Sequence, residues 1–274
     1  MPIVNCNRRD LWVHAGFAGD GKATFALNVA YETVTQCESN VLYVTLEQPA
    51  STLQRKLYSI HSTTLAPRVG TTPLEYARIR REQLTGVEKA FYGEVVNDFD
   101  RNPEYGLFQV WEVTQGVTIE DIQLQAELVH RAMGLSLVII DTGSGSLVEP
   151  KVKTGVYRDE RNTVVQDAKR LASQFSSGDG IAILLLLHAS RQGRDFAEAN
   201  NGIYLLPAIY PHEAIEIVAD HVTATFLDQE LRDKGLIRFT NIENPDQGPI
   251  DLQTNLACSR IYPPSADILF FLGS

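Results

Sequence analysis

Short apolar runs and polar breaks alternate along the chain. The runs are LWVHAG (11–16), NVLYVTLE (40–47), GLFQVWEV (106–113), LSLVIIDT (135–142), IAILLLLH (181–188) and HVTATFLD (221–228). Each has the length and composition of a β-strand. Between the earlier runs, ATFALNVAYETVTQ (23–36) and TIEDIQLQAELVHRAMG (118–134) place their apolar residues at helical spacing. Alternation of strand and helix predicts a mostly parallel sheet flanked by helices. LSLVIID is apolar throughout instead of at every second position, as expected of a central strand covered on both faces. The late stretch LIRFTNIENPDQGPIDLQTN (236–255) holds a Pro and Gly turn between two strand-like runs and predicts an antiparallel extension. HSTTLAPRVGTTP (61–73) reads as a loop inside one domain spanning 1–274.

Composition narrows the class. The chain has 274 residues, and its 44% hydrophobic content is ample for a large core. A formal net charge of -10 means that the surface as a whole repels phosphate backbones, so any nucleic-acid contact has to come from local basic loops. Cys6, Cys37 and Cys258 are far apart, with no metal-ligand spacing, and predict reduced thiols. The start MPIVNCNRRD lacks the layout of a signal peptide and IAILLLL is too short to span a bilayer, so a cytoplasmic protein without a membrane partner is expected.

The strongest chemical signal is Gly16-Phe17-Ala18-Gly19-Asp20-Gly21-Lys22-Ala23-Thr24. It satisfies GxxxxGK, follows a predicted strand and opens a predicted helix, the context of a phosphate-binding loop. Gly16, Gly19 and Gly21 let the backbone wrap around phosphates, the helix start offers free N–H groups, and Lys22 supplies the positive charge. A Gly-rich turn with one exposed lysine is the bland alternative. Position 23 is normally Ser or Thr, whose hydroxyl ligates Mg2+, and here it is Ala23. Thr24 lies about 100° further round the helix.

Asp141 ends LSLVIID at the sheet edge where ligands of parallel sheets sit, as either a metal-holding aspartate or a turn former beside Thr142 and Gly143. Glu47 ends NVLYVTLE and either polarises a water or caps a solvated strand end. His188 and Arg191, in LLLLHASRQGRD, would face the same edge, where a polar group can sense a terminal phosphate. Structural roles remain open for both.

Taken in order and spacing, GFAGDGKATFALNVA, VLYVTLEQPASTLQRKL, LSLVIIDTGSG, RNTVVQDAKRLA, LLLLHASRQGR and AIEIVADHVTATFLD resemble the motor domain of DnaB-type replicative helicases, and less closely the KaiC and RecA ATPases. The resemblance covers about residues 10–256. It implies a RecA-like P-loop fold, ATP and Mg2+ as cofactors, and a homo-oligomeric ring or filament, or a hetero-assembly, acting on single-stranded DNA. It gives Lys22 the phosphate-binding role, Glu47 that of the catalytic glutamate and Asp141 that of the metal-holding aspartate. His188 stands where the family usually has a glutamine sensor.

The chain also departs from that pattern. The family's late strand carries a Lys-x-Arg pair that reaches a neighbour's site, whereas Phe239-Thr240-Asn241-Ile242-Glu243-Asn244-Pro245 holds no cation. Lys234 and Arg238 are the nearest in sequence. The sequence begins almost at the first strand, so ring assembly would use other contacts than the family's linker helix. Arg191, Arg194 and the loop DFAEANNGIYLLPAIYPHEA fall where the family's DNA-facing loops lie. Asp195, Glu198 and Glu213 would temper the grip there, and Tyr204 and Tyr210 would stack on bases or pack within the loop. The expectations are therefore an ATPase of DNA replication or phage DNA metabolism, a weakened family member serving as a structural or regulatory subunit, or a recombination-type ATPase.

Overall fold

In the computed structural model, which describes residues 4–113, 116–142, 160–244, 248–263 and 270–272, the six apolar runs become parallel strands of one sheet. In chain order the elements are β1 (Val4–Cys6), β2 (Leu11–Gly16), α1 (Lys22–Thr35), β3 (Val41–Thr45), α2 (Ala50–Val69), α3 (Tyr76–Arg80), α4 (Gly86–Arg101), β4 (Phe108–Glu112), α5 (Ile119–Met133) and β5 (Leu137–Asp141). They continue with α6 (Glu160–Gly178), β6 (Ala182–His188), α7 (Arg191–Ala199), α8 (His212–Val218), β7 (His221–Phe226), α9 (Gln229–Asp233), β8 (Leu236–Asn241), β9 (Ile250–Asn255), β10 (Arg260–Ile261) and β11 (Phe270–Leu272).

The main sheet has the order β10-β9-β8-β7-β2-β6-β5-β3-β4. From β7 to β4 every neighbouring pair is parallel, while β8, β9 and β10 add antiparallel strands at the other edge, as the late stretch predicts. The residues 245–247 of the expected turn lie outside the described set. A separate pair, β1 with β11, has no counterpart among the predicted strands.

The central strands are buried because both faces are covered. Every residue of β2, β3 and β5 is buried, and Val138, Ile139 and Ile140 are wholly inaccessible. Truncating one such side chain to Ala costs about 2–5 kcal/mol, since the site relaxes only in part around the cavity. His14 breaks the apolar run of β2 without harm. Its Nδ1 meets Thr223 Oγ1 at 2.8 Å, its Nε2 meets Thr225 Oγ1 at 3.2 Å, and its ring stacks on Phe25 with centroids 4.3 Å apart.

The expected loop at 61–73 is instead mostly helix, because α2 runs to Val69 and ends on Gly70, whose φ of 69° suits glycine. The hydroxyls that look like turn formers bond back along the helix: Ser62 Oγ donates to Ser59 O and Thr63 Oγ1 to Ile60 O, each at 2.7 Å. Leu53, Leu57, Ile60 and Ala66 keep a buried face, and Pro67 sits in the last turn. The helices that follow, α3 and α4, are likewise absent from the predicted pattern, and they bury Leu74, Ile79, Phe91 and Val95 beside Ala66 as a satellite core. Thr85 and Glu88 form a capping box that starts α4.

Candidate nucleotide site

Strand register brings the chemical residues to one edge. Gly16 pairs with His188, Leu186 with Asp141, and Asp141 with Thr45, so the ends of β2, β6, β5 and β3 lie side by side. The loop leaving β2 depends on its glycines. A Cβ on Gly16 would sit 2.8 Å from Thr225 O, and one on Gly21 would lie 2.7 Å from Ile237 Cδ1. Gly19 and Gly21 have φ of 90° and 88°, in the left-handed region that other residues enter only with strain. The loop closes through Asp20 N to Phe17 O at 3.1 Å, and α1 then begins at Lys22 with no side-chain cap. Its first-turn amides are therefore free of capping side chains, as an anion-binding helix start needs.

Lys22 is buried, and its Nζ donates to Phe17 O at 3.2 Å and to His188 Nδ1 at 3.3 Å. Burial lowers the lysine's pKa, against the attraction of Asp141, Asp20 and Glu47. Because Lys22 can only donate, His188 accepts at Nδ1 and carries its own proton on Nε2. Burial, then the Lys22 charge, lowers the His188 pKa and keeps the ring neutral. Its buried Nε2 has no hydrogen-bond partner among the described residues. A buried donor left unmatched costs about 1–3 kcal/mol, a cost that an acceptor entering the site would remove.

Asp141 is 3% exposed and accepts from Tyr43 Oη at 3.0 Å. Thr142 turns its hydroxyl away, to Leu186 O at 2.9 Å. Glu47 is exposed just past β3, where Thr45 Oγ1 accepts from Gln48 N at 3.0 Å to shape the turn. Lys56 on α2 donates to Gln48 Oε1 at 2.7 Å and brings a second ammonium to this edge. Ala23 and Thr24 are half-buried in the first turn of α1. The arrangement fits a triphosphate: glycine loop, uncapped helix start, buried lysine and unmatched histidine donor converge. The donor set for a divalent metal is thinner, because Asp141 stands there without a hydroxyl at position 23.

The segment expected to face DNA is built differently. Its first part is helix α7, and Tyr204, Ala208 and Ile209 are buried. Tyr204 is thus closed to base stacking, whereas Tyr210 is 44% exposed. Arg194 turns inward to Asp20 of the glycine loop, with 11% of its side chain exposed. Arg191 is exposed and lies over the Phe17 ring at 5.0 Å, next to the loop. Two cations near the loop escape sequence reasoning, Arg194 on Asp20 and Arg232, whose Nη2 donates to Gly19 O at 2.8 Å. The signal for the first is present: an acidic residue inside a phosphate loop calls for a cation.

On the late strand, Arg238 makes a fork of 2.6 and 2.7 Å to Asp251, and at the end of α9 just before it Lys234 pairs with Glu230 at 2.5 Å. Both are engaged within the chain. Ile242 packs half-buried against the core, with its amide on Val222 O at 2.8 Å. Among the described residues no group of His, Cys, Asp and Glu forms a metal cluster, and no helix is long and apolar enough to cross a membrane. The RNTVVQDAKRLA stretch falls within α6, while 143–159, with Gly143, lies outside the described residues.

No protein-family model matches the chain, and no curated protein matches its sequence. Solved structures do. One, described as an ATPase domain, superposes with a TM-score of 0.75 at 16% identity, over 94% of this chain and 86% of that one. A DnaB-like replicative helicase, solved for its interactions with primase, gives 0.73 at 15% identity, over 93% of this chain and 58% of that one. The fold is therefore the RecA-like motor-domain fold of DnaB-type helicases, as the resemblance implies, and the chain spans little more than half of the DnaB-like helicase.

Proposed function

We propose that this chain is one RecA-like domain that binds ATP at the C-terminal edge of its parallel sheet and hydrolyses it within a ring or filament acting on single-stranded DNA. The observation that carries this reading is the buried Lys22 ammonium, parked on His188 Nδ1 at the mouth of the glycine loop, with His188 Nε2 unmatched. An ammonium is kept out of water at such cost where a polyanion will repay it. In this reading Lys22 and the amides at the start of α1 hold the β- and γ-phosphates, and the His188 Nε2 proton meets the terminal phosphate. Arg191 closes over Phe17. A bound Mg2+ would supply charge neutralisation and sit mainly on Asp141. In the same reading Glu47, open to solvent just past β3, polarises the attacking water.

A second reading has its own observation. Ala23 offers no metal ligand, and Lys234 and Arg238 are tied up within the chain, so a subunit that binds nucleotide without turning it over is the alternative. Calorimetric titration with ATP, with and without Mg2+, and phosphate release with and without single-stranded DNA separate the two. Binding with turnover that Lys22→Ala abolishes supports the ATPase. Binding with no release above that variant supports the silent subunit, and absence of binding ends both.

A further inference from the structure

A carboxylate inside a phosphate-binding loop is an electrostatic liability, because it repels the ligand and competes for the lysine. Asp20 is that carboxylate. It precedes Gly21 and Lys22 and is 2% exposed. Its side-chain bonds hold it in place and neutralise it. Oδ1 accepts from Arg194 Nη1, and Oδ2 accepts from Tyr204 Oη at 2.5 Å and from the loop's own Phe17 N at 3.1 Å. Arg194 is braced in turn: its Nε donates to Glu198 at 2.9 Å and its guanidinium lies over the Phe226 ring at 4.1 Å. Tyr204 is buried, with its ring 6.2 Å from the same Phe226. Arg194 therefore stands on α7 and Tyr204 in the segment that follows it, both against Phe226 at the end of β7 and all outside the loop they grip.

We propose that Arg194 and Tyr204 are positioning residues of the nucleotide site: they discharge the loop's own carboxylate and hold Phe17 to Gly21 in the phosphate-receiving shape before nucleotide arrives. This rests on the nucleotide-binding reading above. Asp20 already attracts Lys22, and without Arg194 it becomes a buried carboxylate that has lost its ion-pair partner and is still drawn to that lysine. The carboxylate then occupies the ammonium meant for phosphate. A purely structural brace would make no such link between the charge on residue 20 and affinity.

The test measures ATP affinity by calorimetry for wild type, R194M, R194K, D20N and D20N/R194M, with hydrogen exchange of the amides of residues 17–22 in the nucleotide-free proteins. R194M is expected to weaken ATP roughly tenfold or more, as truncating one member of a buried charge pair leaves the other uncompensated. D20N/R194M is expected to return to within about threefold of wild type, because removing the charge removes the competitor. R194M should also speed loop exchange about tenfold, with D20N reversing it. Failure of D20N to rescue R194M, in affinity and in exchange, overturns the proposal. If R194M does not fold, R194K against D20N/R194K makes the same comparison. If wild type binds no ATP, the nucleotide reading falls by itself, and the exchange measurements still judge the clamp.

Discussion

Lys22→Met separates what the lysine does for a ligand from what it does for the fold. The ammonium is buried and donates to two neutral acceptors, Phe17 O and His188 Nδ1. Burial lowers its pKa in the folded chain, more than Asp141, Asp20 and Glu47 raise it. For a base shifted in that direction the charged form is the costly one. The cost is fully present below the folded pKa and disappears as pH rises through the unfolded value, so near neutral pH the lysine reduces stability. Methionine fills similar volume without charge. It removes the whole balance that the lowered pKa records, in which the ionic burial penalty outweighs both charge-assisted hydrogen bonds and the attraction of the three carboxylates. A net gain of about 1–2 kcal/mol should raise the nucleotide-free melting temperature by roughly 2–6 °C for a chain of this size. The same change removes charge-assisted bonds to phosphate worth about 2–3 kcal/mol, which is roughly a 30- to 150-fold loss of ATP affinity. Thermal unfolding followed by circular dichroism, paired with calorimetric titration, reads both. A variant that melts several degrees lower and binds ATP as wild type does would make Lys22 an ordinary satisfied core lysine and refute the reasoning.

Three further outcomes follow from the same site and core. Ala23→Thr restores a hydroxyl to the first turn of α1, so adding Mg2+ should improve ATP affinity roughly three- to tenfold more than in wild type; an unchanged Mg2+ response in calorimetry counts against a metal on that side of the site. Glu47→Gln should leave ATP binding nearly intact while phosphate release falls about 100-fold or more, and equal turnover would remove Glu47 from the chemistry. Burial, with the Lys22 charge adding to it, pushes the His14 pKa from 6.5 down to about 3. The unfolded chain takes up that proton first, so stability is full above about pH 6.5 and falls by about 1.4 kcal/mol per pH unit between there and about pH 3. Urea unfolding of His14→Gln across that window should show a slope shallower by that amount, and parallel curves would contradict the assignment.

Much of this protein is legible along the chain, for a local reason. The apolar runs that form β2 to β7 announce themselves by period and length, and GxxxxGK announces a loop and helix start by the backbone freedom of Gly19 and Gly21. These features depend on neighbours a few residues away. The helix through 61–69 is hidden because Ser62 and Thr63 look like turn formers until their hydroxyls are seen bonding back to carbonyls one turn earlier. Arg194 and Tyr204 look like loop residues free to meet DNA. Only the folded chain, which carries them 174 and 184 residues back to Asp20, turns them into a clamp on the phosphate loop. Likewise Lys22 and His188 belong to separate motifs in the sequence, and the parallel register of β2 with β6 sets them 3.3 Å apart. Local pattern decides which residues form strands and turns, because backbone geometry is a short-range property. Which charge meets which partner is decided by sheet order, because strands adjacent in space are far apart in sequence.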